Sequence, residues 1–504
     1  MRTISVLICL TVLSSILQTA SAHTGLPSIF GSNMVLQQKQ QNKIWGWGDT
    51  GDKITVTIGD QKKTDTVDDE GRWHVMLDPL PAGGPYRMVV SGHNKITFDN
   101  VMVGEVWICS GQSNMSWPVR AADDPDLESM TANYPNIRLI SVPQVGTQEP
   151  QTNFNGKWSV CTPQTVNDFS AVGYFFGRRL HQTLDVPIGL IDNAWGGSAC
   201  EAWINRDTLE SDDRFSGLME HWKSVEEEFE KEPAEGEEAE AAKKKNGRLM
   251  TGNQRPANIY NGVLKPTIGY GVRGAIWYQG ESNASRAYQY RDLFPLMIEE
   301  WRKEWGQGDF PFYWVQLADF RAEKDAPADS DWAELREAQT KTMKLANSGE
   351  AVIIDLGEAA DIHPKNKQDV ANRLARWALA KDYGFDKLVY RSPIYASMKT
   401  EDGAITVTLD HVGGGLDTFD VRQPMGFTIA GEDKVFHEAK AEIVGKGRNR
   451  TEIKVWSEDE EAPVAVRYAW ADNPVCNVQN MEGLPVTPFR TDDWEGVTAG
   501  VEHR

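Results

Sequence analysis

The sequence predicts an α/β protein, a mostly parallel sheet wrapped by helices with a β-rich region on either side. Three observations carry that expectation. From about 24 to 100 the chain alternates short runs such as "KITVTIG" and "YRMVVSG" with the turn clusters "GDTGD", "DDEG" and "PAGGP", the pattern of antiparallel strands. From about 101 to 387 apolar strand-like runs alternate with helix-length segments whose apolar residues recur at three and four. From about 388 to 504 that helical period vanishes, and "AITVTLDHV", "TEIKVWS" and "PVAVRYAWA" read as strands again.

The first residues, "MRTISVLICLTVLSSILQTASA", place Arg2 before an apolar run from Ile4 to Leu17 and end on Ala20-Ser21-Ala22. This predicts a signal peptide over 1–22, cleaved near Ala22, and a secreted or periplasmic mature chain starting near His23. The apolar run is shorter than the roughly 20 residues that span a bilayer. A β-rich domain is expected over 23–100. The middle region, 101–387, carries five expected strands: "EVWIC" (105–109), "IGLIDNA" (188–194), "VRGAIWYQ" (272–279), "FYWVQLA" (312–318) and "AVIIDLG" (351–357). Helical segments between them make the sheet parallel, because a parallel connection needs a crossover. The charged stretch 225–247, "VEEEFEKEPAEGEEAEAAKKKNG", reads as a solvated helix or flexible insertion. The β region over 388–504 either stands alone or packs with the N-terminal strands.

Composition narrows the partners. A formal net charge of -21 over 504 residues repels nucleic acid and anionic membranes alike, so a small or neutral substrate is expected, with no nucleic acid and no membrane partner. The oligomeric state is not readable. Past the leader stand Cys109, Cys161, Cys200 and Cys476, which allow three pairings that the sequence does not choose between. Cys109 lies in an apolar run and reads as buried and unpaired. With no CxxC or HExxH, neither a metal nor another cofactor is expected.

Ligands of open α/β sheets bind at the carboxyl ends of the strands, so the residues just past each strand are informative. After the first comes "SGQSNM", after the second "WGGSACEAW", after the third "QGESN", and after the fifth "EAADIHPKNK". Acyl transfer needs a nucleophile, a base, a group that orients the base, and donors for an oxyanion. Ser113 supplies the first, His363 the second and Asp361 the third. The N–H of Ser113, a backbone N–H at Gly196 or Gly197, and the Gln279 amide are the oxyanion candidates. Taken alone, Ser113 is an ordinary turn residue, "WGGS" a tight turn and His363 a helix-start residue; only the set together points to acyl transfer. Met115 stands where the G-x-S-x-G elbow would need glycine. Asn114 is expected to tie down the nucleophile turn, and Glu281 to hold Gln279 or touch substrate. Of eighteen tryptophans, Trp117, Trp195, Trp203 and Trp277 lie near these motifs, and one or two of them are expected to face a sugar. The N-x-[ST] matches at Asn114, Asn283 and Asn449 read as chance.

These motifs, Gly111 to Met115, Trp195 to Ser198, Trp277 to Asn283 and Asp361 to Pro364, resemble the marks of the sialate O-acetylesterase family within the SGNH-hydrolase superfamily. The similarity extends to "IYNGVLKP" (259–266), "VRYAWADNP" and "EGLPVTPFRT", over nearly the whole mature chain. It implies an SGNH-type three-layer α/β/α catalytic domain and deacetylation of O-acetylated sugars, most readily sialic acid, through Ser113, His363 and Asp361. It also implies an oxyanion hole of the Ser113 N–H, one glycine of 196/197 and Gln279. Many superfamily members place the Asp three residues before the His rather than two, so Asp355 and Glu358 stand as alternative orienters; the third-strand donor is often Asn rather than Gln. Two other functions remain open, an acetylxylan or other polysaccharide acetylesterase and a non-catalytic carbohydrate-binding protein.

Overall fold

The computed structural model describes residues 23–231, 247–324 and 326–503. The expected signal peptide and residues 232–246 of the charged stretch lie outside the described residues; 225–230 close the helix Ser216–Glu230. Among the described residues no helix is long and apolar enough to cross a membrane.

The central sheet runs in the order Ser348–Ala351, Phe312–Val315, Gly274–Tyr278, Lys95–Gly111, Ile188–Asp192, Tyr134–Ser141 and Ser159–Cys161. Every neighbouring pair is parallel except the last. All five expected strands are there, with three corrections, the first being the short edge strand Ser159–Cys161, which was not expected. Tyr134–Ser141 was not expected as a strand, because Pro135, Asn136 and Arg138 interrupt its apolar pattern; Arg138 is nonetheless buried, its guanidinium facing Asn33 and Asn100. The last strand ends at Ala351 rather than running over 351–357. Val352 and Ile354 are apolar because they enter the core of the C-terminal β region, not because they extend the strand.

Alternation along the strands divides the interior in two. Val106, Ile108, Ala275, Trp277, Phe312 and Trp314 face one core, shared with Leu293, Phe294, Trp301 and Leu335 of helices Ala287–Trp305 and Asp331–Lys341. Trp107, Cys109, Ile276, Tyr278, Tyr313 and Val315 face the other, shared with Tyr174, Phe176, Leu374 and Trp377 of helices Ala171–Leu184 and Lys367–Asp382. Both faces are covered, so the strands are apolar almost throughout. Each large side chain fully buried here contributes about 1.5–3 kcal/mol.

The strand Lys95–Gly111 belongs to two structures at once. Its first part pairs antiparallel with Gly83–Ser91, and its second part forms the middle of the parallel sheet. The expected boundary at 100/101 therefore falls inside one continuous strand. The C-terminal region has its own core of Ile405, Val407, Ile453, Phe427 and Tyr468, joined by Val352 and Ile354. It packs on the exit of the sheet's last strand, and none of residues 23–100 shares that core. The four cysteines after residue 22 are free, with Cys109, Cys161 and Cys200 buried.

Candidate active site

The central strand ends at Gly111, where its neighbour leaves no room for a Cβ. A Cβ at Gly111, where φ is +132°, would lie 2.2 Å from the Tyr278 carbonyl oxygen. The Gln112 N–H donates to that same carbonyl at 2.9 Å, and the chain turns into the helical turn Ser113–Ser116. Buried Met115 plugs the turn from below, and Ser170 Oγ donates to the Met115 carbonyl at 2.6 Å. Ser113 is left half-buried at the sheet edge.

There the structure brings together the three residues singled out for nucleophile, base and orienter. His363 Nε2 lies 2.9 Å from Ser113 Oγ, and His363 Nδ1 lies 3.2 Å from Asp361 Oδ1. The same Asp361 oxygen accepts the His363 backbone N–H at 2.9 Å, which is how a spacing of two residues still brings carboxylate and imidazole together. That N–H, and then the ring, hold the Asp361 carboxyl below the usual carboxylate range. With the ring proton on Nδ1 facing Asp361, Nε2 is free to accept from the serine hydroxyl. The alternative orienters are occupied elsewhere: Asp355 forms a double contact with Arg373, and Glu358 accepts from the Lys365 N–H and ammonium. Trp117 stacks on His363, with ring centres 4.6 Å apart and planes at 16°. It steadies the imidazole, a role not read from the sequence.

The glycine pair approaches Ser113 from the next strand. The Trp195 N–H donates to the Gly111 carbonyl at 3.0 Å, and a Cβ on Gly196 would lie 3.3 Å from Ser113 Cβ. Gly197 has φ +72°, the left-handed region where glycine is at ease. The N–H groups of Ser113, Gly196 and Gly197 have no backbone acceptor among the described residues. Asn253, which the sequence did not single out, donates to the Gly196 carbonyl.

Gln279 is a correction. Its amide donates to the Ser198 carbonyl at 3.1 Å and to Asn283 Oδ1 at 2.7 Å, and its Oε1 accepts from Tyr290 at 2.9 Å. A fully buried amide fills its hydrogen bonds, and this one fills them beneath the glycine loop, leaving no N–H for an oxyanion. Glu281 holds Asn114 rather than Gln279, accepting from Asn114 Nδ2 at 2.7 Å. Asn114 and Asn283 are buried, which no glycan tolerates. Trp203 and Trp277 are also buried in the core; Trp195 is partly buried. Among the described residues one group of side chains could gather round a cation, Asp49, Asp52 and His93, and it sits in the N-terminal β region.

The geometry thus offers a hydroxyl hydrogen-bonded to an imidazole, an imidazole against a carboxylate, and backbone N–H groups beside the hydroxyl. Such a set can form and hydrolyse an acyl ester. Comparison with known proteins agrees with that chemistry. The family described as carbohydrate esterase, sialic acid-specific acetylesterase matches residues 103–232 and 250–379. Sialate O-acetylesterase of Mus musculus is 31% identical over 533 aligned positions, covering 96% of this chain and 97% of that one. The Homo sapiens protein of the same name is 31% identical over 73% of this chain and 72% of its own. The crystal structure of a carbohydrate acetylesterase from Xanthomonas citri superposes with a TM-score of 0.82 at 38% identity, covering 94% of this chain and all of that one.

Proposed function

The chain belongs to the sialic acid-specific acetylesterase family of carbohydrate esterases, and from that premise we propose that it deacetylates O-acetylated sugars, sialic acid first among them, through an acyl-enzyme on Ser113. His363 takes the Ser113 proton as Oγ attacks the acetyl carbonyl. The oxyanion forms against the N–H groups of Ser113 and of Gly196 or Gly197. His363, steadied by Asp361 and Trp117, then returns the proton to the departing sugar oxygen. Water loses a proton to the same imidazole as it attacks the acetyl-enzyme, and His363 passes that proton to Ser113 Oγ as acetate leaves. The observation that carries this reading is the unbroken run of contacts from Ser113 Oγ through His363 to Asp361.

The same reading takes 101–387 as an SGNH-type three-layer hydrolase domain, 23–100 and 388–504 as β-rich flanks, and residues 1–22 as the leader of an exported protein. The helices over both faces of the sheet support the first part. The Xanthomonas citri protein, at 38% identity, is a carbohydrate acetylesterase, a class wider than esterases of sialic acid. A polysaccharide such as acetylated xylan is therefore the competing substrate class. The test is acetate release from O-acetylated sialic acid and from acetylated xylan, by wild type and Ser113→Ala side by side. Faster release from the sialic acid, abolished in the variant, is the expected result. A preference for xylan would move the substrate, and an active Ser113→Ala would remove the mechanism.

A further inference from the structure

Helix Lys367–Asp382 opens with a residue that helix physics disfavours in that place. Lys367 stands in the first turn, at the positive end of the helix dipole, and is fully buried. Its ammonium is therefore opposed by both the dipole and desolvation. Burial brings its pKa down to about 7, with Glu281, then Asp361 and Glu358, pulling the other way. A lysine kept under such conditions beside the Ser113–His363 pair points to a task that its ε-amino group performs.

Its contacts define the task. Lys367 Nζ donates to Asn114 Oδ1 at 2.6 Å. The amide nitrogen of Asn114 donates in turn to Glu281 Oε1 at 2.7 Å and to the Ile362 carbonyl at 3.0 Å. Asn114 is the neighbour of Ser113, and Ile362 lies between Asp361 and His363, so one amide joins the nucleophile turn to the base loop. An amide has two distinguishable ends, and a donor at Oδ1 requires the NH2 end to face Ile362 and Glu281. The Trp117 and Tyr278 rings lie 5.9 and 5.2 Å from the ammonium, and Trp117 is the ring stacked on His363. Beneath them Glu281 is partly buried, with its Oε2 shielded from solvent and lacking a hydrogen-bond partner among the described residues; desolvation raises its pKa, against the lowering by Asn114 and Lys367.

We propose that Lys367 is a positioning residue: its ε-amino group, donating to Oδ1, fixes the orientation of Asn114 and so holds His363 at hydrogen-bond distance from Ser113, with the Glu281 carboxylate on the other end of the same amide. The proposal rests on Ser113 and His363 being nucleophile and base. The charged and titratable groups around the ammonium are Glu281 from the turn after the third strand, Asp361, Glu358 and His363 from the base loop, and the Tyr278 phenol from the sheet.

The test compares Lys367→Met and the double variant Lys367→Met/Glu281→Gln with wild type. Three quantities are read: kcat and KM for p-nitrophenyl acetate, the rate of Ser113 phosphonylation by a fluorophosphonate, and the thermal midpoint. A base loop displaced by a fraction of an ångström to about 1 Å costs up to on the order of 10²-fold in rate. Lys367→Met is therefore expected to lose about 10- to 100-fold in kcat with KM within a few-fold, and phosphonylation is expected to slow in step. The double variant, freed of an unpaired, partly buried carboxylate, is expected to recover its thermal midpoint while kcat and phosphonylation stay low. Recovery of kcat together with the midpoint, or a single variant with wild-type kcat and labelling, overturns the proposal. If Lys367→Met does not fold, the double variant decides by the same readouts. Ser113→Ala runs in parallel: activity or labelling that survives there fails the underlying reading and not the role of Lys367.

Discussion

Ser113 and His363 meet at 2.9 Å, but they reach that point on different supports. Ser113 follows a strand of 17 residues in the middle of the sheet, whose last residues, Ile108 to Gly111, are buried and hydrogen-bonded by backbone to strands on either side. His363 stands in the irregular stretch between the last strand and helix Lys367–Asp382, with its side chain 25% exposed and that of Asp361 40% exposed. Asn114, Trp117 and Asp361 hold it through side chains. The position of Ser113 is thus a property of the backbone, and that of His363 is a property of a few side chains. Substitutions beneath Ser113 should register mainly as lost stability, and those around His363 mainly as lost turnover.

The largest expected effect belongs to neither side, because it removes the meeting point: Ser113→Ala should lower kcat by on the order of 10³-fold or more, with little change in the thermal midpoint. Asp361→Asn tests the base side. It should cost about 10²-fold in kcat, below the roughly 10⁴-fold of a fully buried triad acid, because water can replace part of an exposed carboxylate. A loss under about threefold would show that Asp361 does not orient the ring.

Gln279→Ala tests the sheet side. Its three buried hydrogen bonds make the expected result a loss of about 1–3 kcal/mol of stability, read by denaturant unfolding, with kcat within a few-fold. A drop of roughly 10²–10³-fold in kcat at unchanged stability is what an oxyanion donor would give and would reverse the structural assignment.

The smallest effect is in pH. Lys367 titrates at about 7 in the folded chain, against about 10.4 when unfolded, so between those values the unfolded chain binds more protons. Stability contributed at this site therefore rises with pH from about 7 towards 10, and the penalty is complete below 7. Unfolding free energies of wild type minus Lys367→Met, measured from about pH 6 to pH 10, should climb across that window; a flat difference would mean that Lys367 keeps its ordinary pKa.

The same contrast governs what the sequence discloses. Strand positions were legible where apolar runs were dense, as in "EVWIC" and "AIWYQ", and failed at Tyr134–Ser141, where a buried arginine facing two asparagines looks like surface. "AVIIDLG" misled because apolar character reports burial and not which core does the burying. That Ser113, the glycine pair and "DIHP" would meet was legible because all three follow strands of one parallel sheet. Gln279 was misread because its position was evident but the direction of its amide was not. Lys367 went unread for a related reason: a lysine four residues after a histidine reads as a solvated helix start, and only the fold brings Asn114 to its ammonium.

The deciding measurement is to expose the wild type to a fluorophosphonate and map the modified residue by peptide mass spectrometry, with acetate release followed in the same sample. A Ser113 nucleophile activated by His363 predicts one phosphonyl group per chain, on the peptide containing Ser113, and loss of acetate release in proportion to its formation. Inactivation with the label on another residue, or full labelling of Ser113 with activity intact, would contradict it.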